Sequence, residues 1–202
     1  MEFIITKAMG KTFYLIFTLI LTLALILMFY TPYLAFLHDP IAPALYNYGF
    51  SWACHQKISR SICLFKNNEG GYSFADCIKQ TGVYVPNDNK QLSILDERGF
   101  LGYKLPVCAR DVGIYTALLL GMLIYPFVRK IDDNGVPPGI FLLLALIPMG
   151  LDGGIQLLSE LGLSLFGSYE STNAIRLVTG AIGGFVLPFY IMPLYHHYRS
   201  KK

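Results

Sequence analysis

The chain has 202 residues, 54% of them hydrophobic, and its charged residues make up only 14%, against nearer ~25% in an ordinary soluble domain. Its formal net charge of +3 comes from basic residues that are scattered or flank apolar runs, which excludes a nucleic-acid surface. The apolar residues gather into four runs near the ~20 residues a helix needs to cross a bilayer, which argues for a membrane protein.

The first run, uncharged from Phe13 onward, predicts a spanning helix over about 12–37. A cleaved signal peptide is the competing reading. The run is longer than the ~7–15 residues of a signal core and has no small-x-small site close behind it. Pro-, Tyr- and Phe-rich sequence follows, and with Trp52 it reads as an interfacial segment, because aromatic rings prefer the headgroup layer. The insertion as a whole covers about 38–110. Its turn-forming clusters and the alternating piece Thr81-Gly-Val-Tyr-Val85 predict a small folded excursion with room for a short hairpin.

Further helices are predicted over 111–128, 137–156 and 174–195. Pro137-Pro138 opens the third, where a missing amide proton is harmless. The fourth contains Gly180-Ala-Ile-Gly-Gly184, a GxxxG pattern that lets backbones approach and is expected to pack inside the bundle, with dimerisation as the alternative. The expected fold is therefore an all-α membrane protein, one domain of four transmembrane helices. Lys7 and Lys11 precede the first helix, Arg129 and Lys130 follow the second, and Arg199, Lys201 and Lys202 follow the fourth. The loop at 153–173 has no Lys or Arg. Positive charge stays cytoplasmic, so both termini are expected there, with the insertion outside. A prokaryotic plasma membrane is the simplest setting.

Under that topology four polar clusters converge on the outer ends of the helices. Cys54, His55 and Gln56 precede the second helix; Cys108, Arg110 and Asp111 open it, with Tyr115 a turn further on. Asp152 and Gln156 end the third, spaced i and i+4 on one face. Glu170, Ser171, Asn173 and Arg176 enter the fourth. An ionised carboxylate in apolar sequence costs at least ~2–3 kcal/mol, so Asp152 is expected to face inward and pair with Arg176 or Arg110. Ser171 and Asn173 are candidate helix caps. A structural ion pair with caps is the bland reading, and the convergence of four clusters favours a functional site.

All four cysteines fall on the outer side, where disulfides persist. Cys63 and Cys77 bracket a turn-rich stretch and are the disulfide candidates. For Cys54 and Cys108 three readings stay open: metal ligands with His55 and an acidic residue, a second disulfide, or redox-active thiols. Thiolate, imidazole and carboxylate suit zinc or a similar divalent metal. Cys54, His55 and Cys108 as ligands leave one position for a water that zinc acidifies toward pH ~7. Asp111 or Asp152 then serves as general base, and Arg110 or Arg176 holds an anionic group such as a phosphate. With Asp111 as fourth ligand the site is closed and structural. His38, His196 and His197 read as solvated or interfacial.

Three functions fit these features. One is a metal-dependent hydrolase or transferase acting on a lipid, prenyl-type or small anionic substrate at the outer leaflet. Another is a small-solute or ion transporter with Asp152, Gln156, Asn173 and Arg176 along its path. The third is a membrane thiol oxidoreductase, against which the missing Cys-x-x-Cys counts.

Cys54-His55-Gln56 with Arg60-Ser61, Cys108-Ala-Arg-Asp-Val-Gly-Ile-Tyr115, Leu151-Asp-Gly-Gly-Ile-Gln156 and Glu170-Ser-Thr-Asn-Ala-Ile-Arg176 with Thr179-Gly180 carry a resemblance. In them the chain resembles a family of small polytopic membrane proteins, domain of unknown function 2085, from Cys54 to Gly184. The resemblance implies that Asp111 stands where many relatives have a second cysteine. Their Cys-x-x-Cys beside Cys-His looks like a metal shell, in which a carboxylate here substitutes for a thiol. It also implies an outer excursion at 67–99 longer than is usual for the family. No activity comes with it.

Overall fold

The structure is a computed structural model that describes residues 2–52, 54, 57–78, 91–163 and 168–199. Among the described residues four helical spans are long and apolar enough to cross a membrane: Gly10–Phe36, Ala109–Val128, Gly139–Glu160 and Asn173–Arg199. The first belongs to α1 (Glu2–Phe36). α1 closes with His38 in the left-handed region (φ 54°), its amide bonded to Ala35 O and that of Asp39 to Leu34 O. Those paired bonds satisfy carbonyls left over at a helix end. The single turn α2 (Ile41–Ala44) and a π-helical turn, Leu45–Gly49, then fold back over the end of α1. A 3-10 turn, Ile58–Arg60, leads into the strands.

α3 (Ala109–Val128) and α4 (Gly139–Glu160) are the middle spans. The last span divides into α5 (Asn173–Val186) and α6 (Pro188–Arg199), because Pro188 brings no amide proton to the helical ladder. α4 runs four residues past the expected end at 156. Asp152 and Gln156 do not stop it, since partners inside the protein satisfy both side chains.

α3 and α5 touch backbone to backbone. A Cβ on Gly180 would land on the Arg110 carbonyl, one on Gly184 on the Ile114 carbonyl, and one on Gly113 on the Leu177 carbonyl. The GxxxG stripe thus packs within this chain. On the other side of α3, Val112 and Leu118 meet Leu21, Leu25 and Met28 of α1. At the far end Tyr14, Met122, Tyr125 and Met192 form a second cluster, and Phe13 stacks on Tyr195 at 3.9 Å. The first turns of the α1 span and the end of α6 therefore share one end of the bundle.

The fold is not all-α. The insertion forms a four-stranded antiparallel sheet, β1 (Ile62–Lys66), β2 (Tyr72–Asp76), β3 (Ser93–Leu95) and β4 (Leu101–Lys104), in the order β2-β1-β4-β3. Periodicity hides these strands. Residues 63–65 of β1 are all buried and β2 is exposed throughout, so neither alternates as a half-buried strand would. The expected hairpin at 81–85 lies outside the described residues. A disulfide joins Cys63 to Cys77 and ties the central strand to the end of β2. The sheet rests on α1, with Phe36 edge-on to Tyr103 at 4.8 Å and Phe29 edge-on to Phe74 at 5.9 Å. Leu105 continues straight from β4 toward α3 and donates its amide to Ile62 O at 2.8 Å.

Candidate metal and anion site

The start of α3 sits where the sheet meets the bundle. Cys108 is its N-cap residue in extended conformation, so its side chain and that of Asp111, one turn on, fall together. The Cys108 thiol donates to Asp111 Oδ2 at 3.0 Å. Cys54 approaches from the segment after the π turn, and its Sγ, Cys108 Sγ and an Asp111 carboxylate oxygen all lie within 4.8 Å of one another. Both cysteines remain thiols. The hydrogen bond with Cys54, burial and the Asp111 charge together push the Cys108 thiol well above its ordinary value. A cation bound there would displace the thiol protons.

Tetrahedral zinc with bonds of ~2.3 Å to sulfur and ~2.0–2.2 Å to oxygen places its ligand atoms about 3.5–3.8 Å apart. The three donors lie within 4.8 Å of one another, a looser set than that, and their chemistry is of the kind zinc takes. His55 and Gln56, expected to join them, lie outside the described residues.

These donors border a cavity of about 200 Å³, also lined by Lys57, Arg60, Arg110, Gln156 and Arg176. Its four cations share three carboxylates. Arg110 binds Asp152 at 2.6 Å, Arg60 reaches both Glu160 and Glu170, Arg176 is 3.4 Å from Glu170, and Lys57 is 3.8 Å from Glu160. Arg176 is only 1% exposed. Burial of that order is tolerable only with partners, and Glu170 and Asn173 supply them.

Asp152 faces inward as expected and pairs with Arg110 rather than Arg176. Its Oδ2 also accepts from Ser171 at 2.9 Å and its Oδ1 from Tyr169 at 2.8 Å. Burial and that bond to a carboxylate raise the Tyr169 phenol above its usual range. Asn173 donates to Ser61 O and to Asp76 Oδ1, both at 3.1 Å, and so ties α5 to the edge of the sheet. Neither Ser171 nor Asn173 caps α5. Thr172 does, its Oγ1 accepting from the Ile175 amide at 3.3 Å, because Ser171 is already committed to Asp152. Tyr115 stands one turn below Asp111 and packs on the α1–α3 cluster with Cys54.

Sequence reasoning did not single out Lys57, Glu160 or Tyr169. For Glu160 the signal was present. Asp152, Gln156 and Glu160 follow one another every four residues, a single polar stripe once α4 is allowed to reach its observed end.

A family model described as "Predicted membrane protein (DUF2085)" matches residues 96–190. An uncharacterized protein of Methanocaldococcus jannaschii is 33% identical over 198 residues, covering 95% of this chain and 98% of that one. The chain belongs to the DUF2085 family. The DUF2085 match takes in Cys108 to Arg176, while Cys54-His55-Gln56, expected as a family motif, precedes it. With four candidate spanning helices, this DUF2085 chain is a membrane protein. No solved structure matches it.

Proposed function

We propose that this is a plasma-membrane enzyme that uses a divalent metal ion, zinc or one like it, on an anionic, lipid-like substrate. The observation that carries the reading is the meeting of Cys54, Cys108 and Asp111 at the wall of a cavity lined by four cations. In this reading the lysines and arginines beside the termini keep that end cytoplasmic, and the site faces outward.

Cys54, Cys108 and Asp111 hold the ion. Once bound, such an ion supplies an acidified water or a Lewis-acid centre near neutral pH. Arg110 and Arg176, with forked donors, bind and orient the anionic group, assisted by Lys57 and Arg60. Asp152 is a positioning residue, since both its oxygens already accept and one of them fixes Arg110. Tyr169 and Ser171 hold that carboxylate in turn.

Elemental analysis of the purified full chain tests the reading. Roughly one zinc per chain, lost on Cys54→Ser, Cys108→Ser or Asp111→Asn, is expected of a site built from those donors. Wild-type protein that stays metal-free after dialysis against zinc would overturn it. Because the two thiols are adjacent, the same samples are reacted with a thiol reagent before and after reduction. A disulfide between Cys54 and Cys108 that forms and breaks reversibly would favour thiol exchange instead.

A further inference from the structure

Beside the polar cavity the bundle leaves an apolar one of about 460 Å³ between α1 and α3. That volume lies within the ~300–1,000 Å³ of ligand cavities. Its α1 wall runs from Phe17 to Met28, Tyr115 and Leu118 form the α3 wall, and Phe50 and Trp52 roof it. The gap has a cause in the sequence. α3 meets α5 through glycines, whereas its α1 side meets full side chains that hold the two helices apart.

Position and length bear on the occupant. From Phe17 to Met28 the wall rises ~16 Å at 1.5 Å per residue. That is about half the ~30 Å hydrocarbon core, which two opposed lipid tails fill, so the slot is as long as one tail. Met28, at the upper end, is 1% exposed, while the rim residue Ile20 is 60% exposed, so the slot opens sideways where lipid lies. The polar cavity lies close by, since Tyr115 of the slot and Cys54 of the polar cavity pack against the same apolar cluster.

We propose that the slot takes one hydrocarbon tail of a phosphate-bearing lipid from the adjoining leaflet, whose headgroup enters the cavity of Lys57, Arg60, Arg110 and Arg176. The assignment rests on the reading of that cavity as the reacting site and names its substrate class. A phosphate suits the cavity because guanidinium forks match its oxygens. Among the described residues Arg110 Nε is buried with no hydrogen-bond partner, which leaves a donor for one of them.

Trp52 provides the probe, since it is the only tryptophan in the chain. Its indole is set over the slot by a 2.7 Å bond to Gly49 O. The full chain in detergent micelles is titrated with phosphatidic acid carrying brominated tails, and with brominated diacylglycerol as the neutral counterpart. Phosphatidic acid is expected to quench Trp52 saturably and to bind at least about tenfold more tightly than the neutral lipid. Filling the slot by Ala24→Phe, or by Ile20→Phe at its exposed rim, weakens that binding by roughly tenfold, with thermal unfolding unchanged. Unsaturable, equal quenching by both lipids would overturn the assignment. So would two well-folded variants that bind as wild type, or inorganic phosphate that displaces the lipid at equal concentration. Metal content of the same samples separates the two readings. Bound zinc with unsaturable quenching overturns the slot alone, and saturable quenching in protein that takes up no zinc overturns the metal site alone.

Discussion

The two sides of α3 solve the same packing problem in opposite ways. Toward α5, glycines at 113, 180 and 184 bring main chain against main chain. Toward α1, Leu118 and Val112 meet Leu21, Leu25 and Met28, and side-chain bulk leaves an opening. In lipid, helices gain little from hydrophobic burial, so close approach of small residues fixes geometry and bulk leaves it adjustable. Arg110 and Ile114 present their carbonyls to the fixed side. The residues that begin α3, and with them the candidate site, are therefore registered against α5 rather than α1.

The largest effect tests that claim directly. Gly184→Val drives a branched side chain into the Ile114 carbonyl and is expected to cost more than about 4 kcal/mol, seen as loss of a folded, monodisperse species in detergent. A variant that unfolds at the wild-type temperature would show that the α5 side does not set the register. Asp152→Ala comes next. It strips Arg110 of its partner, and breaking such a pair costs about 3 kcal/mol, which a calorimetric scan would detect. Replacing Cys63 and Cys77 together by Ser removes a cross-link closing a loop of 14 residues and should cost somewhat under ~3 kcal/mol. Its effect belongs to the sheet, so hydrogen exchange should rise in β1 and β2 and stay unchanged along α3.

The smallest effect depends on pH. Tyr169 has its ionisation raised by burial and by the bond to Asp152. The folded state thus favours the neutral phenol. Its contribution is complete below the ordinary phenol value of ~10 and is lost as pH climbs through the higher folded value. Tyr169→Phe should cost about 1 kcal/mol or less at pH 7 and flatten the alkaline limb of the stability profile. An unchanged alkaline limb would remove Tyr169 from the network around Asp152.

The spans were legible because uncharged apolar runs of about 20 residues match the thickness of a bilayer and little else in a folded chain. Asp152 was legible for a similar reason, since an acid in apolar sequence needs a partner, though not which arginine would provide it. The strands were hidden by their surroundings. β1 is buried on both faces and β2 on neither, so the alternation that betrays a strand is missing from each. Thr172 was passed over as a cap because its neighbours are equally good cap formers, and only the commitment of Ser171 to Asp152 decides between them. The meeting of Cys54 with Cys108 and Asp111 was legible from topology, which puts both thiol segments at the same ends of the helices, although no local spacing encodes the sheet that folds between them.

The strand order carries a consequence for biosynthesis. β1 and β2 leave the ribosome together and can pair at once, but the other edge of β1 is reserved for β4, which emerges immediately ahead of the second membrane span. Until then the nascent chain holds an open strand edge, the kind that invites wrong partners. Closing that edge is thereby coupled to the arrival of the second span at the bilayer.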